Sequence, residues 1–174
     1  MRSEALLTSL AVGFALQRLN ARLMVAESCT GGLVSSWLTE IAGSSHWFDG
    51  AVVSYANAVK AEFLSVRKAT LLMQGAVSRQ TALEMAEGLR REHKKALVAA
   101  GVHTNATLVA ASITGVAGPT GASVDKPLGL VHFGWVGPWG QEAGQAVFSG
   151  TRAEIRGKAA LFALSGLFSR LSSR

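Results

Sequence analysis

The most constraining feature of the chain is an unbroken apolar run, Leu23-Met24-Val25-Ala26, that stops at Glu27-Ser28-Cys29-Thr30-Gly31-Gly32. Beyond it, Leu33, Val34, Trp37, Leu38 and Ile41 recur at helical spacing. The run has the character of a buried strand, so the residues between form a strand-to-helix turn. That turn gathers two hydroxyls, a thiol and a carboxylate in one tight place. Glycines there let the backbone pass close to a ligand, and the first amides of a helix favour phosphate or a developing oxyanion. The same residues also suit a plainer role, with Ser28 or Thr30 simply capping the helix. The stretch alone does not choose between these.

The pattern recurs further on, where Leu108-Val109-Ala110-Ala111-Ser112-Ile113 runs into the glycine loop Thr114-Gly115-Val116-Ala117-Gly118-Pro119-Thr120-Gly121. In open α/β sheets ligands collect beyond the carboxyl ends of strands, so Ser28 and Thr114 are expected on a shared crevice. Around these units the spacing predicts a first helix over about residues 4–19 and a second over about 32–41. A turn at 42–45 is expected to cover Trp47 and Phe48, followed by a strand over 51–55 and helical residues 56–64 carrying Asn57 and Lys60. Ser78 is expected to cap a helix over 81–93. Residues 94–107 read either as more of that helix or as a loop with a charged face. A strand over 128–136, a Pro138-Trp139-Gly140 turn and a returning strand over 142–148 make a hairpin, and a last helix spans about 152–171. Alternating helices and strands give an α/β fold, and the hairpin makes its sheet mixed.

At 174 residues with 49% hydrophobic content the chain suits one domain, residues 1–174, with a substantial core. The formal charge of +6 favours anionic partners. Aromatic residues make up only 7%, and Arg90, Arg91, Lys94 and Lys95 are the only dense basic group, so a phosphorylated small molecule fits better than nucleic acid. Cys29 is the only cysteine, which excludes an internal disulfide and a cysteine-built metal framework and is compatible with a reducing cytoplasm. Arg2 before the apolar stretch 5–16 has the look of a signal peptide, but Glu4 and Gln17-Arg18 interrupt it. No run approaches the ~20 apolar residues of a membrane span, so a soluble protein with no membrane partner is expected. Self-association is allowed by the sequence and not specified by it.

Neither glycine loop has the Gly-x-Gly-x-x-Gly order, no Walker lysine-hydroxyl pair follows either, and no Gly-x-Ser-x-Gly elbow exists. His46, His93, His103 and His132 are isolated in sequence, without partners at ligand spacing, so no metal is expected. A Ser-His-Asp triad stays open, though no histidine sits in an informative context; the other candidate base for Ser28 is a lysine, since a lysine desolvated in a pocket can lose its proton near neutral pH. Lys60 and Lys126 are the two candidates, although a lone lysine more often sits in solvent.

Five blocks in register resemble the C-terminal domain family of the competence-damage-inducible protein CinA. They are Ala26 to Gly32; Gly43-Ser44-Ser45 with Trp47-Phe48; Ser54-Tyr55 with Asn57 and Lys60; Gly75-Ala76-Val77-Ser78; and Thr114 to Pro119 with Lys126-Pro127 and Gly129, continued by Phe148-Ser149-Gly150 and Arg152. The resemblance spans roughly residues 6–171. It implies a three-layer α/β/α sandwich and an enzyme that hydrolyses the amide of nicotinamide mononucleotide to nicotinate mononucleotide and ammonia, in pyridine nucleotide salvage, with no cofactor and no metal. It further implies Ser28 as nucleophile, Lys60 as its base, and Tyr55 and Asn57 supporting that lysine. Thr30, Gly31, Gly32, Asn57, Thr114, Gly115 and Arg152 would form the substrate-binding set. The chain departs from the family pattern at Ala122, where a glycine is usual, at Thr151, where an aspartate is usual, and in the longer segment 94–107. The competing expectation is a catalytically silent nucleotide-binding or assembly module of the same fold, which would need the loops but not Lys60. On the amidohydrolase reading Arg156, one turn after Arg152, either shares the phosphate or faces water, and water is the expectation.

Overall fold

The computed structural model describes residues 2–173. Among these, the strands are β1 (Ala21–Glu27), β2 (Phe48–Val53), β3 (Thr107–Gly115), β4 (Leu130–Gly137) and β5 (Gly140–Val147). They form one sheet in the order β2-β1-β3-β4-β5. β1 runs parallel to both neighbours, pairing Val25 with Ala51 and with Ala111. β3 and β4 are antiparallel, and β4 and β5 form the hairpin around Pro138-Trp139. Helices α1 (Arg2–Arg18), α2 (Leu33–Thr39) and α6 (Arg152–Ser172) cover one face; α3 (Asn57–Leu64), α4 (Lys68–Gln74) and α5 (Arg79–Ala99) lie on the other. The result is a three-layer α/β/α sandwich with a mixed sheet.

Strand alternation divides the core between the two faces. Leu23, Val25, Val109, Ala111 and Ile113 join Leu16, Leu38, Ile155 and Leu164 in the larger cluster. Met24, Ala26 and Ala110 pack with Leu64, Met85 and Leu89 in the smaller one. Burying each of these large aliphatic side chains contributes roughly 1.5–3 kcal/mol. On the α5 face the buried Ser112 hydroxyl donates to the Ala82 carbonyl at 2.6 Å. A Cβ at Gly88 would stand 1.6 Å from the Leu64 carbonyl oxygen, so only glycine lets α5 come against the end of α3. That approach seats α3, and Lys60 with it, beside the sheet.

The structure alters or settles the sequence reading at five local points. β2 begins at Phe48 and ends at Val53, a few residues earlier than the spacing predicts, and a register shift between Leu23 and Met24 of β1 pairs Phe48 and Gly50 with them and leaves Asp49 without a strand-pairing partner in β1. Trp47 is buried beneath the turn as expected, while Phe48 is only half-buried. α4 has no counterpart in the expected elements, because its Leu72 and Met73 are exposed and leave no amphipathic stripe to read. It is held instead by Glu84 of α5, whose carboxylate accepts from the Arg67 amide at 2.9 Å, the Arg67 guanidinium, the Thr70 hydroxyl at 2.8 Å and Gln80 at 3.0 Å. Burial would raise the Glu84 carboxyl, but these bonds, led by Arg67, outweigh it and hold the group at about 2. The ambiguous segment divides, with α5 running on to Ala99 and 100–106 forming a loop. His93 is not isolated: its Nε2 lies 2.7 Å from Asp49 of β2, which Arg22 of β1 also grips. That partner is 44 positions away in sequence, beyond any local spacing rule.

Candidate active site

The carboxyl ends of β1, β2 and β3 lie together, and β1 sits between two parallel neighbours reached in opposite directions. That is the switch point at which an open sheet leaves a crevice. Ser28 follows β1 directly and is clasped by both neighbours. Its amide donates to Ile113 O at 2.9 Å, while the Ser54 amide donates to Glu27 O at 2.7 Å.

The start of α2 is capped by neither Ser28 nor Thr30, and its amides are not open to an anion. The Glu27 carboxylate, wholly buried, accepts from the amides of Gly32 at 2.9 Å, Val34 at 3.2 Å and Ser35 at 2.9 Å, and from the Ser35 hydroxyl. The expected anion site at this helix start is therefore filled from within the chain. Gly31 and Gly32, with φ of 59° and 92°, make the tight left-handed turn that carries Glu27 back to it. The Ser28 hydroxyl is freed from capping and turns to Lys60.

Lys60 is 1% exposed, and its Nζ lies 3.0 Å from Ser28 Oγ, 2.5 Å from the Ser54 carbonyl and 3.4 Å from the Tyr55 carbonyl. Three acceptors match the three N–H groups of an ammonium. The same geometry serves a neutral amine, with two N–H groups on the carbonyls and the lone pair facing the Ser28 hydroxyl. Burial lowers the Lys60 pKa from its ordinary 10.5 to about 8, which brings the neutral form within reach of physiological pH. Burial has the opposite effect on the neighbouring thiol and pushes Cys29 up to about 11. The thiol is therefore protonated at neutral pH, when only the thiolate is a useful nucleophile.

A pocket of about 320 Å³ opens over this pair, lined by Ser28, Cys29, Tyr55 and Lys60 on one side and by Ala76, Val77, 114–118, Thr120, Gly121 and Arg152 on the other. Arg152, at the start of α6, donates from Nη1 to Gly118 O at 2.5 Å and from Nη2 to the Tyr55 hydroxyl at 2.9 Å, bridging the pocket rim. Glu154 does not pair with it. Glu154 instead completes a capping box with Thr151, the residue that departs from the family pattern and that caps the helix as an aspartate would.

The expected residues are thus only partly brought together. Ser28, Lys60, Tyr55, Thr114, Gly115 and Arg152 line the pocket, whereas Thr30, Gly31, Gly32 and Asn57 do not. The Tyr55 side chain meets Arg152 rather than Lys60, and only its carbonyl approaches the lysine. The Thr114 hydroxyl donates to Ala76 O at 2.8 Å and fixes the pocket wall. Lys126, the other candidate base, is held at the surface by Gln74 O at 2.6 Å. Arg156 does not face water: it donates to the carbonyls of Cys29 and Thr30. Its spacing of four from Arg152, on the same side of a helix, was the one available signal. The carbonyl contacts to Lys60 had none. Among the described residues no group of three or more His, Cys, Asp or Glu is placed to hold a metal ion, and no helix is long and apolar enough to cross a membrane.

The CinA C-terminal domain family matches residues 7–171. The nicotinamide-nucleotide amidohydrolase PncC of Enterobacter agglomerans is 45% identical over 157 residues, 90% of this chain and 88% of that protein. PncC of Escherichia coli strain K12 is 41% identical over 167 residues, 95% of this chain and 94% of that protein. The crystal structure of the competence/damage inducible protein CihA from Agrobacterium tumefaciens superposes with a TM-score of 0.85 at 36% identity, covering 97% of this chain and 96% of that one.

Proposed function

The chain belongs to the CinA C-terminal domain family, and from that premise we propose that it is a nicotinamide-nucleotide amidohydrolase, acting as a single domain in the cytoplasm. The reaction is hydrolysis of nicotinamide mononucleotide to nicotinate mononucleotide and ammonia, without a metal. Relatives carrying that activity in their names match nearly the whole chain. The observation that carries the chemistry is the buried Lys60 amine 3.0 Å from the Ser28 hydroxyl at the floor of a pocket.

Lys60 takes the Ser28 proton on its lone pair as Ser28 Oγ attacks the amide carbon. The tetrahedral adduct collapses as the Lys60 ammonium returns that proton to the leaving nitrogen, and ammonia departs from a Ser28 ester. Water, deprotonated by Lys60, then attacks the ester carbon; the bond to Ser28 Oγ breaks as the Lys60 ammonium gives that proton back to Oγ, and the product leaves as the carboxylic acid, which ionises in water. The Ser54 and Tyr55 carbonyls stabilise the ammonium between the two transfers, so the lysine cycles without losing hydrogen bonds. At the rim the Arg152 guanidinium would receive the phosphate through two parallel hydrogen bonds, exchanging its present partners, Gly118 O and the Tyr55 hydroxyl, for a full negative charge.

A silent module of the same fold has no need of a buried amine, which costs stability and gives nothing to binding. The test is ammonia release from nicotinamide mononucleotide by purified protein in the presence of a metal chelator. Catalytic release equal to that without chelator is expected. Absence of release under either condition contradicts the assignment.

A further inference from the structure

Arg156 of α6 is half-buried and does not line the pocket, yet it touches the turn that carries Ser28. Its Nε donates to Cys29 O at 3.1 Å and its Nη2 to Thr30 O at 2.6 Å. A trans peptide is planar, and its C=O and N–H point in opposite directions. Drawing the Cys29 carbonyl toward Arg156 therefore turns the Thr30 N–H away from it, and drawing the Thr30 carbonyl does the same to the Gly31 N–H. The second consequence is visible directly, since the Gly31 amide donates back to Ser28 O at 3.0 Å. Gly31 permits the arrangement: a Cβ there would lie 3.4 Å from Arg156 Nη2, at a φ of 59° that side chains rarely adopt.

We propose, resting on Ser28 as the nucleophile, that Arg156 is a positioning residue whose guanidinium fork holds the two peptides after Ser28 and so fixes the turn that points the Ser28 hydroxyl at Lys60 and the pocket. The attacking oxygen is thereby held in line with its base and with the acyl carbon, so the turn contributes by preorganisation and Arg156 itself does not touch the substrate. A fork is required because two consecutive carbonyls are held at once, which the single ammonium of lysine does not reproduce. Glu27 anchors the far end of the same turn at α2, so the nucleophile stands between two fixed points.

The experiment compares wild type with Arg156→Lys and Arg156→Ala in two reactions: turnover of nicotinamide mononucleotide, and acetylation of Ser28 by p-nitrophenyl acetate, located by mass spectrometry. Rates are normalised to folded protein measured by circular dichroism. For Arg156→Lys, which keeps the charge and one donor, kcat is expected to fall roughly tenfold to a hundredfold with KM within about twofold. Acetylation should slow in proportion, and Arg156→Ala should lose more and recover part of its rate when free guanidinium is added at millimolar concentration. Both rates staying within about twofold of wild type in Arg156→Lys would overturn the proposal, as would a loss confined to KM or one that merely tracks the unfolded fraction. The acetylation assay separates this proposal from the substrate reading. Ser28 acetylated in wild type but no ammonia from the nucleotide would contradict the substrate while Arg156 is still judged on acetylation. A Ser28 that is never acylated would overturn the positioning role together with the nucleophile.

Discussion

The two ends of the sheet carry cavities of opposite construction. At the carboxyl ends of β1, β2 and β3 lies the pocket of about 320 Å³ with Lys60 at its floor. At the other end, where α5 finishes and β3 begins, a cleft of about 880 Å³ is lined by Arg90, Arg91, Lys94 and His103 together with aliphatic residues such as Val98 and Val102. The larger cavity has more positive charge, but its cations stand in water at ordinary solvation. The smaller has Arg152 at its rim and, at its floor, Lys60, which is withdrawn from water with each of its donors aimed at an oxygen. Desolvation changes the chemistry of an amine and exposure does not, so the proposed function places its chemistry in the smaller cavity. Volume alone would point to the wrong end of the molecule.

The comparison breaks most sharply if the small pocket can lose its hydroxyl and still work. Ser28→Ala is expected to reduce turnover by about ten-thousandfold or more while the thermal midpoint holds, since Glu27 rather than Ser28 caps α2. Next in size is Lys60→Arg, which preserves charge but cannot usefully deprotonate. A fall in kcat of roughly a thousandfold is expected, and a change confined to KM would make Lys60 a binding residue. Arg152→Ala should act on KM instead, raising it roughly tenfold to a hundredfold for nicotinamide mononucleotide and little for nicotinamide riboside, if the riboside is hydrolysed. Equal losses on both substrates would place the phosphate elsewhere, with Lys126 the next residue to substitute. The smallest effect belongs to the far cleft: the double substitution of Arg90 and Lys94 by Ala should leave kcat/KM within about twofold, and a large loss would undo the contrast between the two ends.

What the sequence reveals of this arrangement follows the range over which its causes act. β1, the turn and α2 are legible because an apolar run, two glycines and a helical stripe are all local. Ser78 is legible for the same reason, its side chain accepting from the Thr81 amide three residues on. Glu27 hides in plain view: an acid ahead of the turn reads as part of the chemistry, and only the fold shows that it is consumed in capping α2. Arg156 and the pair His93 and Asp49 are tertiary facts, joining residues 127 and 44 positions apart. α4 escapes detection because a polar network around Glu84, and not an apolar face, holds it in place. The serine and lysine could be nominated from their neighbours, but the burial that lowers the pKa of the lysine could not.

The pH dependence of kcat/KM tests that burial most directly. Below about 8 the Lys60 amine is protonated and has no lone pair for the Ser28 proton, so kcat/KM should fall tenfold per pH unit on the acid side and level off above. The stability change has a matching sign. Because the folded pKa lies below the ordinary 10.5, the folded protein binds fewer protons between about 8 and 10.5. The cost of burying the ammonium is therefore full below that window and disappears as pH rises through it. A wild-type profile bending near pH 8, with the bend absent from the residual activity of Lys60→Arg, is the result this account predicts. A bend near 10.5, or a profile flat between about pH 6 and 9, would show that Lys60 is an ordinary lysine and contradict its role as the base.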